Sequence, residues 1–75
     1  MEKTITMDMT TQVAGWKQGV ADGTAYAKSG QDMPEAEKID ELAAPSSPGG
    51  DKHANWLVGY RKGFREGVKR FFAGG

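Results

Sequence analysis

Gly15-Trp16-Lys17-Gln18-Gly19-Val20-Ala21-Asp22-Gly23 and Gly59-Tyr60-Arg61-Lys62-Gly63-Phe64-Arg65-Glu66-Gly67 are two readings of one pattern, 44 residues apart. Each runs glycine, aromatic, base, polar, glycine, apolar, variable, acid, glycine. Upstream, Val13 matches Leu57 and Ala14 matches Val58. Two copies are too few for a solenoid but suit two helices that present similar faces.

Both copies have helical periodicity. At about 100° per residue, with Gly59 at zero, Trp56, Tyr60, Phe71, Phe64, Leu57 and Val68 fall between roughly 60° and 180°. Arg61, Arg65, Lys69 and Lys62 fall between roughly 200° and 300°, opposite the apolar arc. The first copy has Trp16, Val20, Val13 and Ala27 on its apolar side and few charges behind. Thr10 or Thr11 is a candidate cap for the first helix, Gly30 its stop, and Asp51 a candidate cap for the second. The expected organisation is a flexible N-terminus over residues 1–9, helix over 10–29, a connector over 30–50, helix over 51–72 and a tail over 73–75. Pro34 opens a possible short acidic helix over 34–43, and residues 44–50 have linker composition.

Glycine inside a helix costs about 1 kcal/mol against alanine, so six of them need a physical reason. Spaced i, i+4, i+8, they leave a groove without side chains into which another backbone can pack. The sequence therefore predicts an all-α fold, two glycine-ridged amphipathic helices in an antiparallel hairpin. Gly15, Trp16, Gly19, Gly23, Trp56, Gly59, Tyr60, Gly63, Phe64 and Gly67 are its packing residues. The other reading of the ridges is a groove left open for a partner.

The chain has 75 residues and no cysteine, which bounds it to one small domain without disulfides. No long apolar run suggests a membrane span or signal peptide, so a cytoplasmic protein without a membrane partner is expected. A core this small favours self-association or a partner; a homodimer is one form of that. Net charge is zero, yet residues 1–51 hold four bases against nine acids and residues 52–75 six bases against one acid. That split points to an anionic partner for the C-terminal part, or to neutralisation of one part by the other.

Enzymatic constellations are missing. His53 is the single histidine, so neither a two-histidine metal site nor a serine–histidine pair can be assembled. Ser29, Ser46 and Ser47 have no base nearby in sequence. Lys28-Ser29 resembles the end of a phosphate loop, but Ala27 stands where that motif needs glycine. No catalytic residue, metal ligand or cofactor is expected. The candidate partner-binding residues are Arg61, Lys62, Arg65, Lys69, Arg70 and Phe72, where bases and an aromatic interleave as in RNA-binding surfaces. The other aromatics read as core or as a stacking platform.

At Gly15-Trp16-Lys17-Gln18-Gly19 and Trp56-Leu57-Val58-Gly59-Tyr60-Arg61 the chain resembles the ribosome modulation factor family of bacteria. The resemblance spans roughly residues 12–30 and 53–68. It implies a two-helix, non-enzymatic protein that binds the ribosome and its RNA in slow growth and stores ribosomes in an inactive form. The chain departs from the family in its neutral charge, its long acidic connector and the absence of a cysteine–proline after the first helix. The other functional class open at this stage is a small protein–protein module, an inhibitor or adaptor, that uses the glycine groove and the acidic connector.

Overall fold

The computed structural model describes residues 9–74, which form three α-helices: α1 (Met9–Lys28), α2 (Ala36–Ala43) and α3 (His53–Gly74). Short 3-10 turns at Ala44–Ser46 and Gly50–Lys52 complete the connector. The expected flexible segment 1–9 lies outside the described residues, except for Met9, which is already helical. Thr10 and Thr11 therefore sit within the first helical turn and not at its cap. Thr11 is buried.

α1 ends as its sequence predicts. Gly30 adopts φ +89, the left-handed conformation that only glycine takes without strain. Its N–H donates to the carbonyl of Ala27 (2.9 Å), and the hydroxyl of Ser29 donates to the carbonyl of Tyr26 (2.6 Å). Carbonyls left over at the helix end are thus satisfied. α2 begins two residues later than expected, with Glu35 at the extended N-cap position and Pro34 outside the helix. The start of α3 is fixed otherwise than through Asp51, which falls inside the 3-10 turn. The Ser47 hydroxyl and His53 Nδ1 are 2.5 Å apart and tie the end of the connector to the first turn of α3. The serine–histidine pair excluded from the sequence therefore does form, because the connector brings Ser47 back against His53.

The long helices pack on their glycines. All six are buried. A Cβ built on Gly15, Gly19 or Gly23 would strike the carbonyl oxygen of Trp56, Tyr60 or Phe64 respectively. One built on Gly59, Gly63 or Gly67 would strike that of Gln12, Trp16 or Val20. As the position on α1 advances by four, its partner on α3 advances by four too. The helices are therefore parallel, and the antiparallel hairpin expected from the sequence is corrected. Exchanging the helices by the 44-residue offset maps each contact onto another, so like residues lie at the same level on either side of an approximate two-fold axis. The physical reason lies in the connector. A 20-residue helix is about 30 Å long, and residues 29–52 must return over that length.

α2 carries the return. Ile39 and Ala43 are fully buried, and Leu42 packs beside them. They complete a core of Ala27, Trp56, Tyr60, Phe64 and Val68, with Tyr26, Leu57 and Phe71 at its edge. Rings stack from Trp56 onto Tyr60 (5.0 Å) and continue to Phe64 (5.9 Å), which Tyr26 of α1 meets at 5.5 Å. The core is thus one-sided among the described residues: α2 covers one flank of the α1–α3 pair, and no third helix there covers the other.

Candidate functional site

The outward side of α3 is the candidate site, and the fold divides its bases into two groups. Arg61 is taken up by structure. Its Nε and Nη2 donate to Oδ1 and Oδ2 of Asp40, each at 2.8 Å, a bidentate clamp between α3 and α2. The hydrogen bonds from Arg61 hold the Asp40 carboxyl below the usual carboxylate range, helped by the charge of the guanidinium. Arg70 is also engaged. Its Nε donates to Oε2 of Glu66 one turn earlier (2.8 Å), and its guanidinium lies 5.5 Å from the ring centre of Trp16. Both contacts orient the side chain along the helix surface.

Lys62, Arg65 and Lys69 form the second group. All three are exposed. At i, i+3 and i+7 they share one stripe of the helix, centred about 270° from the glycine ridge. They form no ion pair among the described residues. Phe72 lies at the C-terminal end of the same stripe, 54% exposed and edge-on to Phe71 at 5.5 Å. Val58, also exposed, stands at the other end. Such a face can attract a polyanion through three solvated charges and offer one flat ring at its end.

The packing residues are divided as well. Tyr60 and Phe64 are fully buried and Trp56 is 5% exposed, which assigns these rings to the core and removes them as a stacking platform. Tyr60 donates its hydroxyl to Oδ2 of Asp22 (2.6 Å), and Gln18 donates to Oδ1 of the same carboxylate (2.8 Å). Burial, followed by the hydrogen bond to Asp22 and its charge, pushes the Tyr60 phenol well above its ordinary range. At the N-terminal end Gln12 donates to Asn55 (3.1 Å). Trp16, the repeat counterpart of Tyr60, is only half-buried. The glycine groove is filled by the opposing backbone, so it is not open to a partner.

Sequence reasoning missed Asp40 and Asp22. Asp40 reads as one acid among several on a solvated helix face; its signal was its place directly after Ile39, the buried residue of α2. Asp22 fills the acid position of the repeat, one turn from Gln18 on the same helix. A cleft of about 300 Å³ lies between the three helices, lined by Asp22, Ala25, Tyr26, Leu42 and Phe64. Its two polar groups are a carboxylate and a phenol, with no nucleophile beside them. Among the described residues no group of three His, Asp or Glu is placed to hold a metal ion. Nor is any helix there long and apolar enough to cross a membrane.

Fold and site together define a small all-α protein, two parallel glycine-packed helices with a cationic outer stripe. No family model matches the chain, and neither a curated protein nor a solved structure matches it.

Proposed function

We propose that this chain is a non-enzymatic cytoplasmic protein that binds ribosomal RNA on the ribosome and holds ribosomes out of translation. Lys62, Arg65 and Lys69 contact phosphates, and Phe72 stacks at the end of the stripe. The observation that carries this reading is the division of the bases. Arg61 and Arg70 are spent on Asp40 and on Glu66 with Trp16, whereas these three stand along one exposed stripe and form no ion pair among the described residues. The resemblance of the two glycine–aromatic segments to ribosome modulation factor supports the same partner.

Three phosphate contacts set the expected size of the effect. Each released counterion contributes about 0.7–0.9 to the salt slope, so affinity falls about 20- to 40-fold between roughly 50 and 200 mM salt. The test is sucrose-gradient sedimentation of tagged protein with ribosomes, with and without nuclease. Co-migration with 30S, 70S or heavier particles is expected, and K62Q/R65Q/K69Q removes it while helicity stays. Unchanged sedimentation of the triple variant would overturn the assignment of this face.

A further inference from the structure

The approximate two-fold axis generates two grooves between α1 and α3, and the fold fills one of them. In the filled groove Ile39 and Ala43 of α2 are buried beside Trp56, Tyr60 and Phe64, and Asp40 clamps Arg61. Moving each of those α3 residues by 44 gives the flank of the other groove. Gln12, Trp16 and Val20 replace Trp56, Tyr60 and Phe64; Val13 replaces Leu57; Lys17 replaces Arg61. Among the described residues no helix lies over this flank, and only the Arg70 guanidinium reaches across it, onto the Trp16 ring. Val13 is 45% and Met9 64% exposed, and Lys17 is exposed and forms no ion pair there. With Thr10 and Ala14 these three line a shallow depression of about 460 Å³ on the face of α1 at the margin of this groove.

The opposite wall differs in charge from its counterpart. Where the filled groove has Asp22 and Tyr26, the open one has Glu66 and Arg70, with Arg70 lying over Trp16. Glu66 is paired to Arg70, which leaves Lys17 without an ion pair among the described residues, at the position where Arg61 holds Asp40.

We propose that this second groove docks a short acidic amphipathic helix from a partner protein, of the kind α2 exemplifies. Its pattern is apolar residues at i, i+3 and i+4 with an acid at i+1, as in Ile39, Leu42, Ala43 and Asp40. The apolar side chains cover Trp16, Val20 and Val13, and the acid pairs with Lys17. This inference is independent of the RNA-binding stripe, which Lys17, Val13 and Trp16 do not belong to.

The test uses the full chain, isotopically labelled, titrated to low-millimolar concentration with a capped peptide of residues 33–47. A second form of the peptide is stapled across positions 37 and 41, which face solvent in α2. The staple offsets the cost of folding a short isolated helix. Saturable shifts are expected at the Trp16 indole N–H and at the Val13 and Lys17 amides, with the Trp56 indole unmoved. V13D abolishes them, and K17E weakens binding at least several-fold; both positions are exposed, so the fold is retained. An absence of shifts with the stapled peptide overturns the proposal. So do shifts centred on Trp56, which would mean that the peptide only displaces α2 from its own groove. Shifts at Val13 and Trp16 that follow protein concentration without peptide would make a second copy of the chain the occupant, and also overturn it.

Discussion

Gly19 lies directly against the carbonyl oxygen of Tyr60, and a methyl group placed on it would overlap that backbone. Gly63 bears the same relation to Trp16, the repeat counterpart of Tyr60. In both cases the obstacle is main chain, which cannot move aside as a side chain can. Gly19→Ala should therefore destabilise the protein by about 1–3 kcal/mol even though alanine favours helix by about 1 kcal/mol. With Gly63→Ala added, little of the few kcal/mol available to a domain of this size should remain. Gly74→Ala is the internal contrast, since a Cβ there meets nothing. It should be neutral or slightly stabilising. Urea unfolding followed by circular dichroism measures all three.

Tyr60 joins the two long helices through Asp22 while itself fully buried. Tyr60→Phe keeps the ring stack with Trp56 and Phe64 but removes the hydrogen bond to a charged acceptor, worth about 1.5–3 kcal/mol. Because Gln18 still serves Asp22, the loss should fall at the lower end of that range. The phenol is raised in the folded state, so its contribution is fully present below the unfolded tyrosine value, about 10. Stability should fall as pH rises beyond that value, and the fall should be shallower in Tyr60→Phe. Alkaline titrations monitored by tyrosinate absorbance and helicity check both statements.

Both long helices were legible in the sequence because period, repeat and glycine spacing agreed on them. Their relative direction was not, since a repeat fits either sense. What distinguishes the two is the connector: antiparallel helices join through a few residues, whereas residues 29–52 match a return along a full helix. The cationic arc was legible as a whole but not in its division. Arg61 stands at about 200°, at the margin nearest the apolar arc, where α2 reaches it. Lys62, Arg65 and Lys69 stand farther round. Finding Asp40 required knowing that α2 packs here, a tertiary fact that an eight-residue acidic segment does not announce.

The Arg61–Asp40 clamp predicts how α2 responds to acid. Asp40 is depressed by its bonds to Arg61, so the clamp is fully present above the unfolded aspartate value, about 3.9. It is lost as pH falls through the lower folded value. Both side chains are more than a third exposed, which keeps the contribution near the range for surface pairs, about 0–1 kcal/mol. Asp40→Asn should loosen α2 at neutral pH by an amount within that range, leave the α1–α3 glycine contacts in place, and remove the acid-dependent step. Amide hydrogen exchange over residues 36–43 between neutral pH and pH 3 reads the effect. Equal protection in the two proteins at both pH values would show that the clamp adds nothing.

The parallel arrangement itself has a test in chain length. The last residue of α1 and the first of α3 are separated by about one helix length, about 28 Å for 19 steps of 1.5 Å. Replacing residues 30–51 with four glycine and serine residues leaves six connecting residues, seven Cα steps that reach about 25 Å at most when fully extended. That chain cannot close the glycine contacts within one molecule. It should lose its helical content as a monomer, or recover it by pairing α1 of one copy with α3 of another. An antiparallel hairpin would accept the short loop and remain a folded monomer. Light scattering coupled to size exclusion, with circular dichroism on the same fractions, separates these outcomes, and a helical monomer would refute the parallel register.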